Sequence, residues 1–195
     1  MNLSFTKKEL RTIYKQKRID LSEDEVGFLS KKIFENFIFR FKPFENQKIN
    51  IFLSIKNFKE IDTGIFINYF FAHSIRVFVP KIQGENLVSM EIFPESEFEI
   101  NQWNIAEPVG KSLYKGDFDF VLTPLLYCDS SGNRIGYGKG FYDRFFGTIN
   151  KNSKKIGLNY FEPNEKIFDI SDSDYSLDAL ITPDNVIDFE VRTAK

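Results

Sequence analysis

The chain has 195 residues, 42% of them hydrophobic and 28% charged, with a formal net charge of -2 and a pI near 5.6. These values exclude a disordered chain, a membrane-embedded one and a nucleic-acid binder with a general basic footprint, and at this length one core can be sustained, so residues 1–195 read as a single domain. One cysteine, Cys128, excludes an internal disulfide, and one histidine, His73, excludes a multi-histidine metal site, leaving carboxylates, lysines, arginines and backbone amides to carry any chemistry.

Taken in chain order, Thr6-Lys7-Lys8-Glu9 has the capping-box pattern, in which a hydroxyl and a glutamate three residues later satisfy each other's free backbone amides. It predicts a helix over 7–19. Lys7, Arg11, Lys15 and Arg18 form a basic stripe on that helix, opposite an apolar face of Leu10, Ile13 and Tyr14; on its own this describes a solvated face. No apolar run near Met1 approaches a signal peptide or a membrane span, so the expected compartment is the cytoplasm. Ser22-Glu23-Asp24-Glu25 repeats the capping box, and Val26, Leu29, Ile33, Phe34 and Phe37 recur at helical spacing until Pro43 ends the second helix.

The pattern then alternates. An apolar run at 49–55, a helix at 62–73 and an apolar run at 75–79, closed by Pro80, make one strand–helix–strand unit. A strand follows at 87–93, and 94–116 reads as a largely irregular crossing. Next come a strand at 118–126, a helix at 140–149, a strand at 155–159 and a short strand at 179–181. This order predicts an α/β layer with a mostly parallel sheet, helices on both faces and ligands at the carboxyl ends of the strands. His73 closes a helix and neither it nor Cys128 has an evident triad partner, so both read as structural.

The most informative stretch is 129–144, between a buried-looking strand and a helix. Gly136, Gly138 and Gly140 recur at every second position, which lets backbone amides approach an anion closely. Arg134, Lys139 and Arg144 add three cations. No Gly-Lys-Ser/Thr follows, so this is no Walker A loop, and the third glycine comes one residue too early for the dinucleotide fingerprint. On spacing alone, a tight glycine-rich turn with a solvated basic rim is the other reading.

The run Gly132-x-Arg134-Ile135-Gly136-x-Gly138-x-Gly140-Phe141-Tyr142-Asp143-Arg144 resembles the signature of the 5-formyltetrahydrofolate cyclo-ligase family. The resemblance extends over nearly the whole chain. It takes in Lys7-x-x-x-Arg11, Ile51-Phe52-Leu53-Ser54 with Glu60-Ile61-Asp62-Thr63, Trp103-Asn104-Ile105 with Glu107-Pro108, and Asp174-x-x-Leu177-Asp178. Two departures stand out: Cys128-Asp129 where the family commonly has Phe-Asp, and a stretch at 55–59 slightly longer than in some relatives.

The resemblance implies a three-layer α/β/α sandwich of the type shared with ribose-phosphate isomerases and CoA transferases. It implies an ATP-dependent ligase of one-carbon metabolism, acting on 5-formyltetrahydrofolate with or without a polyglutamate tail; with the charge balance and the lack of an apolar N-terminal run, the expectation is a cytoplasmic monomer with no nucleic-acid or membrane partner. ATP phosphorylates the formyl oxygen at N5, N10 attacks the activated carbon, and phosphate leaves as the 5,10-methenyl ring closes; positioning and charge stabilisation carry such chemistry with little need for histidine.

By the same resemblance the nucleotide contacts are Lys7, Arg11, Arg134, Gly136, Gly138, Lys139, Gly140, Tyr142 and Arg144, while Lys15 and Arg18 stay at the surface. Lys139, Arg134 and Tyr142 are the catalytic groups, with Lys139 foremost, and Arg144 alternatively braces the loop through an ion pair. The folate meets Leu53, Tyr137, Gly138, Lys139, Gly140 and Phe141, with Trp103 either a pocket wall or core, and Glu60 accepts the pterin's amino-pyrimidine edge in place of lying on the surface. Asp143, which could otherwise cap its helix, holds magnesium with Asp174 as second carboxylate and Asp172 and Asp178 as competitors.

Overall fold

Both capping boxes close. In the computed structural model, which describes residues 4–102, 105–110 and 112–189, the Thr6 hydroxyl accepts the Glu9 amide at 3.3 Å while the Glu9 carboxylate accepts the Thr6 amide at 2.8 Å. Ser22 and Glu25 repeat the exchange at 3.2 and 2.7 Å. After a two-residue strand β1 (Ser4–Phe5), these boxes start α1 (Lys7–Ile19) and α2 (Glu23–Phe41); α2 ends at Lys42, whose φ of 44° cannot continue a helix, with Pro43 behind it.

The chain continues through β2 (Lys48–Ile51), a 3-10 turn (Lys56–Phe58), α3 (Gly64–Ala72), β3 (Arg76–Gln83) and β4 (Asn86–Ile92). A hairpin of β5 (Phe98–Ile100) and β6 (Ala106–Pro108) precedes β7 (Phe120–Pro124), and a second of β8 (Tyr127–Cys128) and β9 (Arg134–Ile135) leads to α4 (Phe141–Phe146). Then come β10 (Lys154–Leu158), β11 (Lys166–Ile167), β12 (Ala179–Ile181) and β13 (Val186–Asp188). Seven strands form one sheet in the order β13-β12-β10-β7-β2-β3-β4; the five inner strands run parallel and the two edge strands antiparallel.

Side-chain alternation assigns the faces. Ile49, Ile51, Val77, Val79, Leu122, Ile156 and Ile181 point to one side and join Val26, Ile33 and Phe37 of α2 and Phe66, Ile67 and Phe70 of α3 in the largest core. Phe78 and Val121 point to the other side, where Phe118 and the α4 residues Phe145 and Phe146 cover them. α1 packs beyond the end of β7, with Leu10 and Tyr14 against Leu126, Tyr127 and Ile135. Tyr14 stacks on Tyr127 at 4.2 Å and donates its hydroxyl to Glu165, which fixes how α1 faces the glycine loop. Among the described residues no helix is long and apolar enough to cross a membrane.

Several predicted boundaries shift. β3 runs through Pro80 to Gln83, because beyond Phe78 it pairs only with β4 and the missing proline amide breaks no ladder to β2. The stretch at 94–116 holds the β5–β6 hairpin, whose three-residue strands are too short for periodicity to reveal. The predicted helix at 140–149 is only six residues long, stopping before Gly147, and the antiparallel edge strand β13 went unanticipated.

Candidate active site

The carboxyl ends of β2, β3 and β7 open onto one cleft of about 1310 Å³. Phe52 and Leu53 follow β2, Pro124 closes β7, and Ile82 and Leu87 flank the β3–β4 turn. Lys7 and Arg11 of α1, the loop 134–144 and residues 172–175 complete the wall, so the cleft lies where an open parallel sheet is expected to hold a ligand.

The loop is built from below by a residue that sequence reasoning passed over. Asp129 is fully buried, and its carboxylate accepts the amides of Ser131 at 2.9 Å and Asn133 at 3.0 Å together with the Asn133 side-chain amide. This ties the β8–β9 turn into a fixed shape; the signal was an aspartate between a hydrophobic run and Ser-Ser-Gly-Asn. Gly138 takes φ +89° with Arg11 only 3.3 Å from where a Cβ would stand, and Gly140 takes φ +67° as the residue before α4. Gly136 has no such φ, and a Cβ there would meet nothing within 4 Å, so backbone conformation does not account for it.

The cations of the cleft fall into two groups. Arg134, with a side chain only 6% exposed, pairs with Asp143 at 2.8 Å, donates to the Tyr175 carbonyl and lies 4.7 Å over the Phe146 ring. Burial holds its guanidinium below the usual arginine value, with Asp143 pulling the other way. Lys7 pairs with Asp174. Arg144 forms no ion pair among the described residues; it braces the loop by donating to the carbonyls of Glu85 and of Lys139, the latter at 3.0 Å. By contrast, the Lys139 ammonium is exposed and has no protein partner among the described residues, and Arg11 uses its Nε on the Gly136 carbonyl at 3.0 Å.

Away from these cations, Glu60 is buried with its carboxylate accepting the Ile55 amide at 2.9 Å and the Tyr137 hydroxyl at 2.7 Å. Burial pushes its carboxyl up, against the opposing pull of Arg18 and these two hydrogen bonds. Leu53, Phe58 and Phe141 line the same cleft. Tyr142 also lines it, but its ring packs edge-on against Phe145 and Phe146 in the core, and its buried hydroxyl has no partner among the described residues. Trp103 lies outside the described residues.

One expectation is overturned. Arg18, read as a surface cation, is 5% exposed and donates to the Tyr137 hydroxyl, while Ile13, read as part of the apolar face, is 36% exposed. Leu10, Tyr14 and Arg18, spaced four apart, share the face that α1 buries, so basic and apolar residues are not on opposite sides.

Asp143 does not cap α4: its carboxylate accepts Arg134 and the Tyr175 amide at 3.2 Å. Asp174 accepts Lys7 and the Ser171 amide through one oxygen. Each thus keeps a second oxygen without a protein partner among the described residues, and both line the cleft. No cluster of three or more His, Cys, Asp or Glu side chains that could hold a metal occurs among the described residues. Each free carboxylate oxygen is nonetheless of the type magnesium accepts, since that ion keeps most of its shell in water and phosphate oxygens. Asp172 also lines the cleft, whereas Asp178 is taken by Lys155 at 3.1 Å and lies outside it.

Residues 4–183 match the 5-formyltetrahydrofolate cyclo-ligase family. The "Probable 5-formyltetrahydrofolate cyclo-ligase" of Schizosaccharomyces pombe is 33% identical over 66% of this chain and 72% of that protein. Its namesake in Caenorhabditis elegans is 29% identical over 94% of this chain and 96% of that protein. Among solved structures, the 5,10-methenyltetrahydrofolate synthetase of Aquifex aeolicus superposes with a TM-score of 0.79 at 27% identity, covering 97% of this chain and 94% of that one.

Proposed function

Because the chain belongs to the 5-formyltetrahydrofolate cyclo-ligase family, we propose that its cleft binds ATP beside 5-formyltetrahydrofolate and closes the 5,10-methenyl ring with release of ADP and phosphate. The observation that carries this reading is that one loop serves both ends of the cleft. Residues 134–144 supply Arg134 and Lys139 at the cationic end, and Tyr137 of the same loop donates to Glu60. A formyl group on a pterin held at Glu60 then lies beside phosphates held by the loop.

In this account Glu60 accepts the parallel N–H groups of the amino-pyrimidine, a pairing that suits a carboxylate with two oxygens. Leu53, Phe58 and Phe141 cover the apolar faces of the folate. Lys7, Arg11, Arg134 and Lys139 take the phosphates, aided by backbone amides at Gly136, Gly138 and Gly140, while Arg144 keeps the loop in shape from behind. Tyr142 brings a hydroxyl that has no other protein partner among the described residues. Asp143 and Asp174 would hold magnesium, which would supply charge neutralisation on the phosphates.

The formyl oxygen attacks the γ-phosphorus and ADP leaves; N10 adds to the activated carbon and loses its proton; the carbon–oxygen bond breaks and phosphate departs, leaving the methenyl bridge. The protein's share is to hold the reactants in line, exclude water and balance developing negative charge, for which a free lysine and ordered arginines suffice. The acidic balance of the chain supports a small-molecule substrate without a nucleic-acid partner, and the same reading has the enzyme act as a cytoplasmic monomer on folates with or without a polyglutamate tail.

The test is isotopic. With ATP and substrate carrying ¹⁸O in the formyl group, the account expects one labelled oxygen in each phosphate released. Unlabelled phosphate formed alongside the methenyl product would rule out phosphorylation of the formyl oxygen.

A further inference from the structure

Arg18 is a buried cation that does not line the cleft and has no carboxylate in direct contact among the described residues. Burying a guanidinium is costly unless its charge and donors are matched. Its Nη1 reaches the Leu125 carbonyl at 3.4 Å, its Nε has no partner among the described residues, and its Nη2 donates to the Tyr137 hydroxyl. The Tyr137 ring lies 5.4 Å from the guanidinium carbon. The carboxyl group that Arg18 reaches is one residue further on, because the Tyr137 hydroxyl donates to Glu60 at 2.7 Å.

The direction of this relay is fixed by its ends. A guanidinium has no acceptor, so the Tyr137 oxygen must accept from it, and the single tyrosine proton is then free for Glu60. The second Glu60 oxygen accepts the Ile55 amide, which likewise can only donate. Both ends therefore favour a carboxylate that is acceptor-only.

The ionisable groups around Glu60 come from four elements: Arg18 of α1, Tyr137 of the glycine loop, Tyr142 of α4 and Tyr160 after β10. Burial raises all three phenols, Tyr160 to about 12, so they stay neutral in the physiological range. Arg18 is the cation of the set.

We propose that Arg18 is a positioning residue for folate recognition: acting through the Tyr137 hydroxyl, it holds Glu60 ionised, with both oxygens available as acceptors for the pterin's amino-pyrimidine. The proposal rests on the reading that Glu60 meets the pterin. It assigns to α1 two separate duties, phosphate contact through Lys7 and Arg11 and, two turns later, support of the folate end.

The experiment is steady-state kinetics of Arg18→Met, which keeps the packing of the stem, with each substrate varied across pH. Removing the cation lets burial push the Glu60 carboxyl higher still, so the acid limb of kcat/KM for the folate moves to higher pH. At neutral pH the folate KM rises about tenfold while the KM for ATP stays within about twofold. Tyr137→Phe acts in the same direction, and the double variant is no worse than the more severe single one, because the two side chains act in series.

An unmoved acid limb, or equal rises in both KM values, overturns the proposal. If Arg18→Met does not fold, Arg18→Gln, which keeps a donor for the Tyr137 hydroxyl without the charge, decides it by the same readouts. Glu60→Gln separates the two claims: an unchanged folate KM in that variant removes the pterin reading itself, whereas a raised folate KM there with no effect of Arg18→Met or Tyr137→Phe removes only the role of Arg18.

Discussion

Lys139→Ala is expected to lower kcat by about two to three orders of magnitude while leaving the KM for 5-formyltetrahydrofolate within about threefold, as removal of a charge aimed at the transition state does. The expectation follows from what Lys139 does in the protein alone. Its side chain carries no hydrogen bond or ion pair among the described residues, only its backbone carbonyl accepts Arg144, and it stands between Gly138 and Gly140, which hold the loop by their own backbone conformations. Its removal costs the fold little. A thermal melt close to that of the unaltered protein, combined with a collapsed kcat, establishes the role; parallel losses of folate affinity and rate would make Lys139 a general binding contact instead.

Arg134→Met is expected to behave differently, because this cation is part of the structure. Its side chain is 6% exposed and that of Asp143 30%. Removal leaves the aspartate facing only the Tyr175 amide and frees the Tyr175 carbonyl, so the loop keeps that amide but loses the arginine's tie to the segment that carries Asp174. Breaking a buried pair from one side typically costs about 3 kcal/mol or more; with Asp143 partly solvated, about 2 kcal/mol is expected, a fall in melting temperature of roughly 6 °C for a chain of this size. Activity falls as well. Adding Asp143→Asn removes the stranded charge and restores part of the melting temperature without restoring turnover, because the phosphate contact is still missing. A double variant that recovers both would confine Arg134 to a structural role.

The difference between these two positions was not legible in the sequence, where Arg134 and Lys139 are equivalent cations around the same glycines. What distinguishes them is burial, which depends on the chain segment 172–175 arriving from about forty residues away. Local features, by contrast, were readable. The capping boxes at Thr6 and Ser22 closed because everything they need lies within four residues, and the alternation of apolar runs and helices revealed the parallel sheet with its cleft at the carboxyl ends of the strands.

Arg18 shows the opposite case. A helix pattern separates charged from apolar residues on the assumption that charge faces water, but α1 ends against Leu125 and the glycine loop, where Tyr137 offers its hydroxyl. Nothing within α1 signals that partner. Asp129 was missed for a related reason: its work is to gather amides of its own turn, which leaves a sequence looking like any polar loop. The motif therefore picked out a stretch that lines the cleft, while the division of its residues into those that hold the loop and those whose side chains are free needed the three-dimensional contacts.

The central claim is an ATP-driven ring closure, and the most direct measurement is the near-ultraviolet absorbance of 5-formyltetrahydrofolate mixed with the purified protein, ATP and magnesium, with a parallel reaction lacking ATP. The account predicts that the methenyl band grows only when ATP is present, with one ADP formed per ring closed. A folded protein that binds the folate yet produces no band with ATP, or produces it equally without, would contradict the account.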